Sequence, residues 1–129
     1  MEIDMRFPLN SPGFAPDTRV EVGASKLHYV HMTELLTDTQ VSDALQHLPE
    51  WHQDGAKLTR TVEFGGFPQA IQAVTRIAEI AESENHHPDI DIRWRTVTFY
   101  CTTHSKGGIT ANDTSLAQEI DNVVEQIQS

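Results

Sequence analysis

Hydrophobic and polar residues follow a regular period from Thr37 onward and lack one before it. Val41, Ala44, Leu45 and Leu48 recur at helical spacing. Thr37-x-x-Gln40 ahead of them is a capping box, in which hydroxyl and amide each satisfy an orphan backbone N–H. Pro49 closes this first helix. The next stretch is WHQDGAKLTRTVEF. Its Asp54-Gly55 step is a hairpin signal, because both central residues of such a tight turn need positive φ. Leu58, Val62 and Phe64 then alternate with Thr59, Thr61 and Glu63, which predicts a strand with one buried face.

Gly65-Gly66 interrupts that strand, and Pro68 falls in the first turn of a second helix, where a missing N–H costs little. Phe67, Ala70, Ile71, Val74, Ile77, Ala78 and Ala81 form its predicted apolar stripe. The helix should end near Asn85, with Pro88 blocking any continuation and pushing His87 toward an extended conformation. Ile90, Ile92 and Trp94 alternate with Asp89, Asp91 and Arg93; the apolar phase then moves to Val97, Phe99 and Cys101. A one-position phase change implies a turn or bulge near Arg95-Thr96, hence two strands or one bent one. A last helix opens with Thr110-x-x-Asp113, a second capping box, and buries Leu116, Ala117, Ile120, Val123, Val124 and Ile127. The order α-β-β-α-β-β-α predicts an α+β two-layer sandwich, a four-stranded antiparallel sheet with helices on one face. The other face would be partly exposed in a monomer, so a homodimer or homotetramer is expected.

Residues 1–31 stand apart. FPLNSPGFAP carries three prolines and a glycine, and only residues 19–22 and 26–31 are candidates for short extended pieces. They are read as an extension, and residues 32–129 as a single domain. Met32 opens MTELLTDTQ like a natural protein start, which raises the reading that translation begins there and residues 1–31 are not native.

Composition removes several function classes. The net charge is −10, and residues 32–129 hold 15 acids against 6 bases, so the acidity belongs to the predicted domain. Such a surface repels a phosphate backbone and an anionic membrane, which disfavours direct nucleic-acid binding. No apolar run has the length of a membrane span, and the N-terminus lacks a secretory signal pattern. One cysteine, Cys101, cannot form an internal disulfide and fits a reducing, cytoplasmic setting.

The candidate chemistry lies in ESENHHPDIDIRW and in THSKGG. His86, His87 and His104 sit at element ends, with Glu82, Asp89, Asp91 and Asp113 near them in sequence. A metal is disfavoured, because adjacent residues of an extended segment point to opposite sides and no i, i+4 histidine pair or cysteine pair exists. General acid/base chemistry suits imidazoles, which titrate near neutrality. On spacing alone it stands level with a plainer reading, surface histidines favoured by the negative end of a helix dipole.

The string Glu82-x3-His86-His87-Pro88-x5-Trp94-x9-His104-x8-Asp113, with Thr103-His104-Ser105-Lys106-Gly107-Gly108 inside it, resembles the signature of the pterin-4a-carbinolamine dehydratases. The likeness runs over about residues 37–129. It implies the sheet-and-helix sandwich above and dehydration of 4a-hydroxy-tetrahydropterin to quinonoid dihydropterin, in the recycling that serves aromatic amino-acid hydroxylases. It implies a pterin as substrate, no metal and no organic cofactor, and a hydroxylase as a candidate partner. By the same resemblance His86 and His104 are the acid and base candidates, and His87 holds and polarises the pterin. Asn85 and Thr102, Thr103, His104 and Ser105 line the substrate pocket; Glu82 orients a histidine or bonds the ring. Pro88 and Asp113 are given structural roles, Asp113 chiefly as the capping partner of Thr110.

Trp51 and Trp94 are expected to pack, Cys101 to lie quietly in a strand, Arg93 and Arg95 to be solvated, and Gly107-Gly108 to make a turn needing positive φ. The alternative function, also known within that family, is a non-enzymatic protein-binding regulatory or assembly module on the same fold. The three intact histidines favour the enzyme. A metal-dependent hydrolase is the weakest reading.

Overall fold

The computed structural model describes residues 34–129. The predicted extension, its short extended pieces and the start at Met32 lie outside them. Helix α1 (Asp38–Leu45) begins at Thr37, whose hydroxyl accepts from the Gln40 N–H at 3.1 Å while the Gln40 amide oxygen accepts from the Thr37 N–H at 2.9 Å. The predicted capping box is therefore present. Strands β1 (His52–Asp54) and β2 (Lys57–Glu63) follow, then helix α2 (Phe67–Glu84), strands β3 (Asp89–Arg93) and β4 (Thr96–Cys101), and helix α3 (Ala111–Gln128). The strands form one antiparallel sheet in the order β1-β2-β4-β3. This is the expected α+β sandwich.

Leu58, Val62, Phe64, Val97, Phe99 and Cys101 fill the sheet's inner face, and Ala70, Ala73, Ile77, Leu116, Ala117, Ile120 and Val124 meet them from α2 and α3. Position 60 breaks the apolar alternation of β2. Arg60 occupies it because Asp121 of α3 takes its guanidinium, and the same Asp121 oxygen accepts from Trp51 Nε1 at 2.7 Å. The outward face is polar; Thr61 and Thr98 bond across strands at 2.9 Å and Lys57 lies over the Tyr100 ring. No helix among the described residues is long and apolar enough to cross a membrane.

Four local expectations need correction. The first hairpin turns at Gly55-Ala56, since Asp54 pairs with Lys57, and only Gly55 has positive φ. That places the glycine at the first central position, where the turn's handedness requires it, and leaves Asp54 in the strand. On α2 the buried face is narrower than the predicted stripe: Ala70, Ala73, Ile77 and Ala81 are buried, while Phe67, Ile71 and Ala78 are exposed. Small residues at the contact bring the helix close to the sheet, so larger side chains one step around fall outside it. Trp94 does not pack. It is 71% exposed, sits with φ 56° in the turn between β3 and β4, and stacks with the Arg95 guanidinium. Arg95 is accordingly part of that turn, half-buried, and paired with Glu63 at 2.9 Å.

The two tryptophans therefore predict opposite outcomes. Trp51, 4% exposed and hydrogen-bonded, should cost about 3–5 kcal/mol when replaced by alanine. Trp94→Ala should change stability by no more than about 0.5 kcal/mol, as for surface substitutions generally. Urea unfolding midpoints of the two variants check this.

Candidate active site

Four chain segments meet where α2 ends, β3 begins, β4 ends and α3 starts. The first is set by one left-handed residue. Asn85 adopts φ 53° and ψ 41°, a conformation asparagine tolerates better than most residues. The His86 N–H reaches back to Ala81 O at 3.1 Å and the Asn85 N–H to Glu82 O at 3.2 Å. These bonds satisfy the last carbonyls of α2 and turn the chain so that His86 faces α3. Pro88 then commits the backbone to β3.

On the other side, Asp113 lies in the first turn of α3 and is fully buried. Its Oδ2 accepts from the Thr110 N–H at 2.9 Å and from Thr103 Oγ1 at 2.7 Å. Its Oδ1 lies 2.6 Å from His86 Nε2, whose side chain is 14% exposed. A carboxylate placed this close to an imidazole favours the protonated ring. The hydrogen bond that His86 makes to Asp113 raises its pKa above 6.5, burial of the ring opposes this, and the charges of Asp113 and Glu84 add to the rise. Asp113 is thus both the capping partner of Thr110 and the counter-ion of His86. Sequence reasoning assigned the first role and missed the second; no spacing rule links positions 27 residues apart.

His104 occupies a short 3-10 turn, His104–Lys106, closed by Gly107 with φ 71°. Gly107 alone of the glycine pair has positive φ. Thr103 and Gly108 form a bridge at the base of this turn, with the Thr103 N–H donating to Gly108 O at 2.8 Å. His104 Nε2 lies 3.8 Å from Asp89 of β3, both well exposed. His87 Nε2 lies 2.9 Å from Glu82 Oε1, also exposed. Each candidate histidine therefore has its own carboxylate, and His86 and His87 face different ones as the extended-chain argument requires. The segments close on themselves: His86 touches Asp113, Asp113 touches Thr103 beside His104, and His104 approaches Asp89 two residues after His87.

The predicted polar lining is placed as follows. Thr103 is buried and its hydroxyl serves Asp113 and Thr110, while the Thr102 hydroxyl donates to Ala56 O at 2.6 Å. Asn85 and Ser105 are exposed at the same end, as is Glu82 beside His87. Asp89 and Glu84, near His104 and His86, were not among the candidates. No group of three or more His, Cys, Asp or Glu side chains among the described residues is arranged to hold a metal ion. Cys101 faces the core, and burial pushes its thiol well above the ordinary range.

Comparison with known proteins bears on the same residues. The sequence model of the family described as pterin 4 alpha carbinolamine dehydratase matches residues 34–123. A protein of Nocardia farcinica named as a pterin-4-alpha-carbinolamine dehydratase is 57% identical over 89 residues, covering 69% of this chain and 94% of that one. One of the same name from Mycobacteroides abscessus is 60% identical over 87 residues, covering 67% of this chain and 93% of that one. A crystal structure of a transcriptional coactivator/pterin dehydratase from Brucella melitensis matches 70% of this chain and 98% of its own, with TM-score 0.68 and 27% identity. With the whole sheet, the histidine segments and the buried aspartate inside the matched span, the chain belongs to the pterin 4 alpha carbinolamine dehydratase family.

Proposed function

We propose that this chain is a hydro-lyase that dehydrates a 4a-hydroxy-tetrahydropterin to the quinonoid dihydropterin, using its histidines as acid and base. The observation that carries the reading is the His86–Asp113 pair, which favours the protonated form of an imidazole at the end of the sheet where His87 and His104 also stand. The C4a hydroxyl is a poor leaving group until protonated. His86, with Nε2 engaged by Asp113, presents Nδ1–H to that oxygen, and the C–O bond breaks as water leaves. The N5 lone pair forms the new C=N bond, and the N5 proton passes to a neutral imidazole, for which exposed His104 is suited. One proton moves from His86 to His104 per turnover, and exchange with solvent restores both.

In this scheme His87, paired with Glu82, holds and polarises the ring, and Asn85, Thr102, Thr103 and Ser105 edge the pocket. Thr103 acts through Asp113, since its hydroxyl is already committed there. The reaction needs no metal and no organic cofactor, because both transfers are proton transfers. We place the activity in cytoplasmic recycling of a tetrahydropterin for an aromatic amino-acid hydroxylase, by a homodimer or homotetramer. A second reading, a protein-binding regulatory module, has one observation in its favour: the Brucella melitensis relative is titled a coactivator as well as a dehydratase. An assay on enzymatically generated 4a-hydroxy-tetrahydropterin separates the two.

Catalysis in that assay should survive chelation by EDTA, and fall about a hundredfold or more in His86→Ala and His104→Ala. Inactive wild-type protein, or loss on chelation, would count against the enzyme reading.

The His86–Asp113 pair makes a separate prediction about pH. The native state holds a proton on His86 that the unfolded chain releases at 6.5, so this contribution to stability is present below pH 6.5 and lost as pH rises through the native value. Asp113→Asn removes the counter-ion and should lower the midpoint of the His86 imidazole proton resonance in an NMR titration. An unchanged midpoint would show that the pair does not set the charge on His86.

A further inference from the structure

Asp89 is the acid at this end of the sheet that the proposed chemistry leaves without a task. Pro88 fixes the entry into β3, and the register sets Asp89 opposite Tyr100 of β4. Phe99 and Cys101, on either side of Tyr100, face the core, so Tyr100 and Asp89 both point to the outward face. Lys57 lies over the Tyr100 ring from the β2 side, 4.9 Å from its centre, and Asp89 flanks the same residue from the β3 side. The chain leaving Tyr100 cannot carry His104 far from this spot. Thr103 is bridged to Gly108 at the base of the turn, and Gly107 closes it with φ 71°. His104 Nε2 stands 3.8 Å from Asp89 Oδ2. The next outward acid of β3, Asp91, is taken by Arg93 at 3.0 Å; the ion-pair partner of Asp89 is His104.

We propose that Asp89 is a positioning residue for His104, holding the ring with Nε2–H toward the carboxylate and a bare Nδ1 toward the pterin. A neutral imidazole has one donor nitrogen and one acceptor nitrogen, and a base needs the acceptor facing the proton it takes. A carboxylate beside Nε2 selects the tautomer that donates there. At 3.8 Å the pair is wider than a hydrogen bond, and a small turn of the exposed ring closes it. Catalytic hydrogen bonds are often long before substrate arrives and tighten in the complex. When the N5 proton moves to Nδ1 the ring becomes imidazolium, and Asp89 stands as its counter-charge. The proton then leaves Nδ1 for water, and Asp89 itself is never protonated. An exposed pair of this kind adds little to stability. What it supplies is orientation, for a ring otherwise free to turn about its side-chain bonds.

This inference rests on the base role proposed for His104, and its first readout needs no substrate, so the two can fail separately. Long-range proton–nitrogen correlation spectra of the full chain, recorded where the ring is neutral, report which nitrogen carries the proton. His104 should show Nε2–H and a bare Nδ1. In Asp89→Ala the two tautomers should mix, drawing the two nitrogen shifts together. In Asp89→Asn, whose amide oxygen still accepts, the shifts should stay near those of the unmutated chain. In the pterin assay Asp89→Ala should lower kcat about tenfold with KM held within about twofold, a smaller loss than that of His104→Ala. Asp89→Asn should recover part of that loss. Asp91→Ala removes the same charge from the same face of the same strand and should leave both readouts unchanged. His104 nitrogen shifts that are alike in the unmutated chain and in Asp89→Ala overturn the proposal, as does a kcat loss that appears equally in Asp91→Ala. The expected shifts in a chain that fails to turn over the pterin would remove the dehydratase reading and leave the hold of Asp89 on the ring standing.

Discussion

The Asp113 carboxylate is the charge around which the site is organised. Removing an ionised carboxylate from water costs several kcal/mol unless its oxygens are well bonded. Here the Thr110 N–H and the Thr103 hydroxyl serve one oxygen, and His86 serves the other. The three partners come from the start of α3, the loop after β4 and the loop after α2. Burying the carboxylate therefore holds three separate segments in register. A structural requirement, bonding a buried carboxyl, also raises the proton affinity of an imidazole at the sheet's end.

The sheet fixes where those segments arrive. Asp89 pairs with Tyr100 and Leu58 with Cys101, so β3 begins beside the end of β4, and the hairpin from β1 to β2 turns close by. Arg60 and Trp51 converge on Asp121, about two turns further along α3 than Asp113, tying that helix to β2 and to the residue before β1. The chain carries a strong acidic excess, yet at this end of the sheet the acids have individual partners: Asp113 faces His86, Glu82 faces His87 and Asp89 approaches His104.

Much of this was legible in the sequence because it is local. Capping boxes at Thr37 and Thr110, the proline after the histidine pair and the change of apolar phase before Val97 each report a choice made within a few residues. The element order followed from them. The errors share a cause. Whether Trp94 packs depends on whether the turn projects it onto anything, and alternation cannot show that β3 stops one residue earlier. The width of the buried face on α2 depends on how closely the alanines let the sheet approach. The site was legible as a set of histidines, since they occur in a dense motif. Their carboxylate partners were less so, because His86–Asp113 is a contact between elements distant in sequence.

The anchoring of Thr102 and Thr103 limits how His104 can move. Thr102 is tied to the hairpin turn at Ala56, and Thr103 to Asp113, Thr110 and Gly108. The segment between Thr103 and Gly108 is therefore a small loop pinned at both ends. Wide opening would break the buried bonds that hold Asp113. The motion left to this loop is rotation of the exposed His104 ring about its side-chain bonds, a nanosecond event, rather than the swing of a slow hinged lid. The ring can therefore reorient while the backbone that carries it stays in place.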